Sequence, residues 1–348
     1  MRIQSLYLRN FRKIEDRRFA FDEGPVAFVG PNALGKTTVV EAIYFLMTGR
    51  SFRTHRLQDL FKEGTRRFDL ACEYEKEGEI ERVHVTVTPQ KKEVAYTHSR
   101  STNLSALLGN LVGSILTPDD VNLIKGSPQA RREFLDLQIL KTDPFYHWHL
   151  SRYVRAMRQR NQLLKTKRLS LCESWENEMA VSAAYITSAR KEALLSLIPH
   201  FSEAYQKLQE ANEAPSLEFL TQDKEGEGVP FYLSAWQRLR SKESLLGFTL
   251  VGPHKDDLSI AINEKDAKAF GSEGQKQTLL LALKLAEWQR LKTLQKENPL
   301  FLIDDVGISL DKSRREKLFQ ATTEMGQVFL TTTDKHNFPL DPIQIIPF

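Results

Sequence analysis

The chain has 348 residues, 49 of them Lys or Arg and 45 Asp or Glu, for a net charge of +4. At roughly 150 residues per domain this length suggests about two domains, each able to bury a core. A hydrophobic content of 41% with 27% charged residues excludes a wholly disordered or collagen-like chain. No apolar run reaches the roughly 18 residues that span a bilayer, so we expect no membrane association.

The cysteines and the first residues bear on cellular location. Cys72 and Cys172 are too few for a disulfide scaffold or a cysteine zinc site, and they fit a reducing cytosol. The start, MRIQSLYLRNFRK, alternates polar and apolar residues and lacks the apolar block of a signal peptide. We therefore expect a cytoplasmic protein.

Both ends of the chain carry strand and helix patterns. Residues 2–8 alternate and residues 25–29 form an apolar run, which predicts two strands, the second one buried. Residues 36–47 are apolar nearly all round and predict a buried helix, and residues 66–98 predict an antiparallel meander. The later sequence predicts strands at 246–251 and 257–262, a helix at about 273–296, and strands at 299–303 and 327–333.

The middle of the chain differs in texture. From about 128 to 212 there is no glycine and the helical periodicity is long, which predicts a helical subdomain. Residues 213–230 are polar and rich in Gly and acidic residues, which is typical of a loop or linker. The sequence thus predicts one discontinuous α/β domain, 1–120 plus 246–348, with an inserted helical arm at 121–245.

A glycine-rich phosphate-binding pattern follows the buried strand at 25–29. It matches GxxxxGK[ST] in full, as Gly30, Pro31, Asn32, Ala33, Leu34, Gly35, Lys36 and Thr37, with Thr38 next in the predicted helix. Glycines let backbone N–H groups turn toward phosphate oxygens, and the helix N-terminus adds favourable partial charge. Lys36 is expected to reach the β- and γ-phosphates and Thr37 to bind Mg²⁺. The sequence predicts a nucleoside triphosphate site.

Two carboxylates follow the predicted strand at 299–303. Asp304 is expected to hold Mg²⁺, directly or through water, and Asp305 to polarise the attacking water. A buried strand followed by an acidic turn is the alternative, but the complete phosphate loop favours the metal site.

The segment Phe270-Gly271-Ser272-Glu273-Gly274-Gln275 opens the predicted helix at 273–296. Ser272 suits an N-cap, and Gly274 allows close backbone approach, so this could be a capped helix and nothing more. The order of motifs, however, resembles that of ABC-type ATPase heads. A phosphate loop, an insertion, Ser-x-Gly-Gln, a strand ending in Asp, and Ser309-Leu310-Asp311 follow one another.

Longer strings narrow the resemblance to the RecF family of bacterial recombination mediators, which is related to SMC-type ATPases. These strings are LYLRNFRK at 6–13, EAIYFLMTGRSFRT at 41–54, TPDDVNLIKGSPQARREFLD at 117–136, GPHKDDL at 252–258, FGSEGQ at 270–275, ALKLAE at 282–287, FLIDDV at 301–306 and TTTD at 331–334. The resemblance implies an α/β fold: an ABC-type P-loop ATPase head with an antiparallel β subdomain and an inserted helical arm.

The resemblance also implies an activity. Heads of this type dimerise when ATP is bound, so that one subunit's phosphate loop faces the other's Ser272, Gly274 and Gln275. Lys36, Asp305 and Ser272 are then the catalytic candidates. The family further implies binding to duplex DNA and to junctions with single-stranded gaps, cooperation with RecR and RecO, roles in gap repair, replication restart and the SOS response, and slow, DNA-stimulated ATP hydrolysis.

Some residues depart from the family pattern. Ala33 stands where glycine is usual, which narrows the backbone freedom of the phosphate loop. Glu273 and Gln277 replace Gln and Arg in the signature, and VGISLD replaces VFSELD after Asp305. A carboxylate pointing at a partner's γ-phosphate is unfavourable, and a lost arginine removes a possible clamp. We expect nucleotide binding to survive these changes and leave hydrolysis rate and dimer affinity open.

Residues 150–168 hold seven basic side chains and no acidic one. In a helix, Tyr153, Met157 and Leu164 fall on a narrow apolar face, opposite a broad arc with the cations Arg152, Arg155, Arg158 and Lys165. A solvated face is one explanation and contact with DNA phosphates is the other, and the density of charge favours DNA. A second candidate cluster comprises Arg50, Arg53 and Arg56.

Two histidines and two other classes of protein stay open. We expect His254 to be a hydrogen-bonded structural residue, whereas His336 and the threonines at 331–333 are equal candidates for sensing the γ-phosphate. A metabolic P-loop kinase needs only the phosphate loop and an acid, and gives Ser272 no role. An adaptor with a vestigial site is disfavoured by the intact Lys36, Thr37 and Asp304.

Overall fold

The structure is a computed structural model in which residues 1–209, 212–305, 311–333 and 343–348 are described. The strands, in chain order, are β1 Arg2–Phe11, β2 Ile14–Ala20, β3 Val26–Val29, β4 Phe68–Lys76, β5 Glu79–Val87, β6 Lys92–Tyr96, β7 Arg100–Ser101, β8 Gly113–Leu116, β9 Pro215–Leu220, β10 Asp257–Ile262, β11 Lys265–Asp266, β12 Leu300–Ile303, β13 Val328–Thr332 and β14 Gln344–Pro347. The α-helices are α1 Lys36–Thr48, α2 Asn122–Lys125, α3 Pro128–Leu140, α4 Tyr146–Lys165, α5 Cys172–Leu208, α6 Val229–Leu246, α7 Ala267–Phe270, α8 Glu273–Gln295 and α9 Lys312–Thr322.

The chain forms two compact units. The first comprises Met1–Val121, His200–Ala211 and Glu273–Phe348, and the second comprises Asn122–Pro199 and Asn212–Ser272. The first predicted boundary, 120/121, lies one residue from the observed one. The predicted boundary at 245/246 differs from the structure, which keeps residues through Ser272 in the second unit.

The described residues of the first unit form two sheets. One is antiparallel with strand order β2-β1-β4-β5-β6-β7, and it includes the predicted meander. The other has the order β14-β3-β13-β12-β8, and all its strand pairs are parallel. The strands β12 and β13 are buried along their whole length, as expected for continuous apolar runs in a parallel sheet. The predicted strands at 25–29, 299–303 and 327–333 and the helix α1 are confirmed.

The second unit is not purely helical. Its helices accompany a three-stranded antiparallel sheet of order β11-β10-β9. The prediction of a loop or linker at 213–230 is wrong for residues 215–220, because β9 lies there and pairs with β10 along its length. This pairing also keeps the predicted strand at 257–262 with the second unit. Residues 221–228, between β9 and α6, do form a loop.

The predicted strand at 246–251 does not form. Gly247 ends α6 in the left-handed conformation, and the following backbone is bound by side chains instead of a neighbouring strand. The Thr249 amide donates to Asn161 (2.8 Å), the Leu250 amide donates to Glu243, and the Val251 carbonyl accepts from Trp236. Apolar residues alone could not distinguish this arrangement from a strand.

In the described part of the chain, no helix combines the length and apolarity that a bilayer crossing requires.

Candidate nucleoside triphosphate site

The phosphate loop lies between β3 and α1. Gly35 takes a positive φ of 110° at the start of α1, and the helix is buried on nearly every side. The Lys36 ammonium donates to the carbonyls of Gly30 and Pro31, both at 2.7 Å, so the loop closes around its own lysine. Burial lowers the pKa of Lys36, and the nearby Asp305 and Asp304 oppose that effect. This is the strand-loop-helix context that the motif requires.

The carboxylates after β12 reach the same place because of the strand order. The strand β13 lies between β3 and β12, and in a parallel sheet the carboxyl ends of neighbouring strands meet at one edge. Asp304 accepts hydrogen bonds from Thr37 (2.8 Å) and Thr331 (2.9 Å). The Asp305 amide donates to the Thr331 hydroxyl at 2.7 Å. Thr331 therefore joins both carboxylate-bearing residues to the middle strand.

An open cleft of about 290 Å³ lies over these residues. Its lining residues are Arg12, Lys13, Asn32, Ala33, Gly35, Lys36, Thr37, Thr38, Arg53, Asp305, Thr331, Thr332 and Thr333. The lining thus brings the predicted loop residues together with Asp305, while the predicted Pro31 and Leu34 are exposed parts of the same loop. Four cations against one carboxylate suit a polyanionic ligand such as a triphosphate.

The donor set beside the cleft fits a magnesium ion. Thr37 and Asp304 are already in contact and offer only oxygen ligands, which Mg²⁺ prefers. Burial raises the pKa of Asp304, and hydrogen bonds from Thr37 and Thr331 oppose it. A cation here would stabilise the charged form of a buried carboxylate. The residues predicted for the metal are those that the structure brings together.

An arginine-carboxylate cluster that was not predicted from the sequence lies at the cleft. The fully buried Glu41 on α1 accepts two hydrogen bonds from Arg12, at 2.9 and 2.6 Å, and a third from Ser51. Arg53 lies 3.7 Å from the same carboxylate. Arg53 was predicted to contact DNA, but it lines the triphosphate cleft. Arg50 and Arg56 are exposed and lie outside the lining, so their contact with DNA stays a prediction.

The last residue of the chain supports the phosphate loop. The Phe348 amide donates to the Val29 carbonyl at 2.8 Å, continuing the pairing of β14 with β3. A Cβ atom on Gly30 would lie 2.5 Å from the Phe348 carbonyl oxygen, so only glycine fits there. The Phe348 ring also packs on Phe28, and the Arg17 guanidinium lies 4.2 Å from its centre. Nothing in the loop motif itself predicts this support.

Ala33 has a φ of 69°, in the left-handed region that favours glycine. A non-glycine residue there costs about 1–2 kcal/mol, part of which is offset because alanine restricts the unfolded chain. We expect Ala33→Gly to raise the free energy of unfolding by roughly 0.5–1 kcal/mol, and therefore to raise the midpoint of thermal unfolding. Ala321→Gly, in helix α9, is the control and should lower the midpoint. A fall in both variants would show that the loop conformation carries no strain.

The signature segment lies at the start of α8. Ser272 is the last residue of the second unit, and Glu273 begins both α8 and a segment of the first unit. A Cβ atom on Gly274 would lie 2.8 Å from the Arg314 guanidinium, which is the flexible end of its side chain and would have to shift. Gly274 and Gln275 are not among the described residues that line the cleft. Asp311 caps α9 by accepting from the Arg314 amide, whereas Ser309, Leu310 and His336 lie outside the described residues.

The basic helix is α4, and its cations have different environments. Arg152 and Arg155 both pair with Glu178 on α5, at 3.1 and 2.8 Å, but Arg155 keeps most of its surface exposed. Arg158 and Lys165 are exposed. Arg160 is fully buried, so it cannot belong to a DNA surface. The predicted DNA-contacting residues thus remain at the surface of the second unit.

His254 has the structural environment that we expected. It donates through Nε2 to the Thr249 carbonyl at 3.0 Å, and its Nδ1 accepts from the Tyr153 hydroxyl at 2.6 Å. Burial lowers the pKa of His254 to about 4, so the ring is neutral near pH 7. A neutral ring with both nitrogens bonded is a structural strut of the second unit.

The fold and the site define an ABC-type P-loop ATPase head. A sequence model of the family described as RecF/RecN/SMC N terminal domain matches residues 2–340. The DNA replication and repair protein RecF of Protochlamydia amoebophila is 41% identical over 96% of this chain and 94% of its own length. The RecF of Symbiobacterium thermophilum is 35% identical, over 96% and 92%. The chain therefore belongs to the RecF family.

Solved structures agree with that assignment. A structure of the recombination mediator protein RecF with ATP matches 99% of this chain and 95% of its own, with a TM-score of 0.91 and 27% identity. The Smc head domain of Pyrococcus yayanosii matches with a TM-score of 0.57 and 15% identity, which shows the shared fold alone. The α/β head predicted from the motifs is thereby confirmed.

Proposed function

We propose that this protein is an ATP-dependent DNA-binding recombination mediator. As such it would bind double-stranded and gapped DNA as an ATP-gated homodimer in the cytoplasm, act with RecR and RecO, and help to load recombinase in gap repair, replication restart and SOS induction. The observation that carries the proposal is the joining of Lys36, Thr37 and Asp304 at the carboxyl edge of the parallel sheet. RecF relatives and a RecF structure with ATP add to it.

The phosphate loop would bind ATP by exchanging partners. The Lys36 ammonium, now bonded to two loop carbonyls, would turn to the β- and γ-phosphate oxygens, which are stronger acceptors because they are charged. Thr37 and Asp304 would hold Mg²⁺, which neutralises charge that develops on the phosphates. Asp305, held at a φ of 57° by the hydrogen bond from its amide to Thr331, would orient the attacking water.

The signature would complete the site from a second copy of the chain. Gly274 and Gln275 are absent from the cleft lining described above, and the exposed Phe270 beside Ser272 indicates an accessible segment. ATP bound between two copies would then stabilise the dimer, and slow hydrolysis would determine how long the dimer lasts before it dissociates. DNA phosphates would lie along Arg152, Arg155, Arg158 and Lys165, with Arg50 and Arg56 as further contacts.

Sedimentation with and without ATP tests the composite site. We expect the wild-type chain to form a nucleotide-dependent dimer and Ser272→Arg to bind ATP as a monomer, because a guanidinium buried without a partner costs about 3 kcal/mol or more. That cost corresponds to a dimer weakened by more than about 100-fold. Ser234→Arg, at an exposed position of α6, is the matched control and should dimerise normally.

Two results would contradict the composite site. A dimer that forms equally without ATP would remove the gating role of the nucleotide. A Ser272→Arg variant that dimerises like Ser234→Arg would show that Ser272 has no role in the dimer. That result would favour a metabolic P-loop kinase, in which Ser272 has no role. Gapped duplex added to each sample reports in addition whether the dimer is the form that binds DNA.

A further inference from the structure

The first turns of α4 expose two large aromatic side chains in line with its arginines. Phe145, just before the helix, is 68% exposed and Trp148 is 52% exposed. With Arg152 and Arg155 they follow one another at spacings of three or four residues, which places all four on one face of the helix. We call this set the aromatic-basic face. The other aromatic residues of α4, Tyr146 and Tyr153, are buried, so the core does not need the exposed pair.

The charges around these rings favour an anionic partner. The Arg152 guanidinium lies 4.7 Å from the centre of the Trp148 ring, and Arg158 adds another exposed cation. Two acidic residues contact this face among the described residues: Glu178 pairs with Arg152 and Arg155, and Asp143 accepts from the Tyr185 hydroxyl and the Phe145 amide. The helix itself contains no acidic residue. An acidic protein could meet the arginines, but it gives the flat rings no particular role.

Unpaired nucleotides use both features of this face. Bases present flat apolar surfaces that stack on Trp and Phe, and each base is joined to a phosphate that arginine binds. In a duplex the bases are stacked on one another and are not available to a side chain on a surface helix. We propose that the aromatic-basic face binds single-stranded DNA, with Trp148 and Phe145 stacking on bases and the arginines contacting phosphates.

This inference rests on the proposed DNA surface of α4 and makes it more specific. Arginines alone would bind any DNA backbone, whereas the aromatic pair adds affinity only where bases are unpaired. A DNA that offers duplex and single strand together would occupy both halves of the helix. Preference for a gapped or tailed molecule would thus reside in this helix.

Fluorescence anisotropy at a fixed salt concentration tests the proposal with the full-length protein. The probes are a labelled oligo-dT strand, a blunt duplex, and the same duplex with an oligo-dT tail. The variants are Trp148→Ala, the conservative Trp148→Phe, and a triple reversal of Arg152, Arg155 and Arg158 to Glu. Leu245→Ala is the control, because Leu245 is 84% exposed on another helix of the second unit. Thermal unfolding verifies that every variant is folded.

We expect Trp148→Ala to weaken oligo-dT binding by roughly 5- to 150-fold, the range for loss of one stacked base. Binding of the tailed duplex should weaken as well, and binding of the blunt duplex should not change. Trp148→Phe should restore most of the affinity, and Leu245→Ala should behave as wild type. Oligo-dT should also quench tryptophan fluorescence, and the quenching should be absent in Trp148→Ala.

The failures are distinguishable. If Trp148→Ala resembles Leu245→Ala while the triple reversal weakens all three probes, α4 binds DNA without stacking and the present inference is wrong. If the triple reversal changes nothing, the DNA surface proposed above is wrong. Equal weakening of blunt and tailed duplex by Trp148→Ala also overturns stacking on unpaired bases. Loss of binding to a purified protein partner, with DNA affinity intact, would assign the face to protein recognition instead.

Discussion

Lys36→Met is expected to abolish ATP binding, with a loss of affinity of more than about 100-fold. The ammonium lines the cleft and is the only cation that α1 supplies to it. Charge-assisted hydrogen bonds contribute about 1.5–3 kcal/mol each, and Lys36 can make such bonds to two phosphates. Methionine keeps the apolar stem, so α1 should still pack. The dimer that depends on ATP should be lost together with the nucleotide.

Isothermal titration calorimetry with ATP and Mg²⁺ measures this loss. Lys312→Met is a matched control, because that lysine is exposed on α9 and its only described ion pair is a long one, at 3.9 Å to Glu316. Both variants should unfold at nearly the wild-type temperature, since the hydrogen bonds that Lys36 loses are made to a loop at the surface. An affinity within about threefold of wild type for Lys36→Met, at less than 1 kcal/mol, would place the triphosphate elsewhere.

The part of the site that sequence could predict is the part that lies in continuous motifs. The loop from Gly30 to Thr38 carries its own spacing rule, and Asp304 and Asp305 follow a strand that is apolar throughout. Thr331 needs more than a motif, because its role depends on β13 lying between β3 and β12. That strand order is a property of the folded sheet, and three threonines in a row do not say which one faces the acid.

The positions of the arginines at the cleft could not be predicted from the sequence for a related reason. Arg12 and Lys13 come from the turn between β1 and β2, and Arg12 has a φ of 56° there. Arg53 was counted with its basic neighbours Arg50 and Arg56, although it alone of the three lines the cleft. What separates them is the fully buried Glu41 of α1, whose carboxylate pairs with both Arg12 and Arg53 beside the cleft. The sequence feature that could have indicated this cluster is Glu41, a carboxylate in an otherwise apolar helix.

The predicted boundary at 245/246 differs from the structure because it was placed from local composition, whereas the extent of the second unit depends on the pairing of β9 with β10. The stretch 213–230 is polar overall, and the short β9 inside it is exposed on one side. Its partner β10 comes much later in the sequence, after α6, so no local pattern joins the two strands. For Arg160 the sequence does hold a local signal, which the count of seven basic side chains ignores. Arg160 lies seven residues after the buried Tyr153, two helical turns along the same face, which points it inward.

Replacing Arg160 by methionine is expected to destabilise the second unit by about 3–5 kcal/mol, the range for breaking a buried ion pair from one side. Arg160 donates to Glu176 at 2.9 Å and to Glu243 at 2.6 Å, and all three side chains are nearly or fully buried. Removing the guanidinium leaves two carboxylates without their shared cation. Arg240 still pairs with Glu176, so the loss falls mainly on Glu243.

Urea unfolding followed by circular dichroism measures the effect, with Arg158→Met as the exposed neighbour on the same helix. Arg158→Met should change stability by less than about 0.5 kcal/mol and lower the salt slope of DNA binding by about one. Arg160→Met should lower the free energy of unfolding strongly and leave the salt slope of DNA binding unchanged in conditions where the protein is folded. A double variant that also carries Glu243→Gln should recover part of the loss, because the remaining buried charge is removed. If Arg160→Met is as stable as Arg158→Met, the buried ion pairs of Arg160 with Glu176 and Glu243 do not stabilise the second unit.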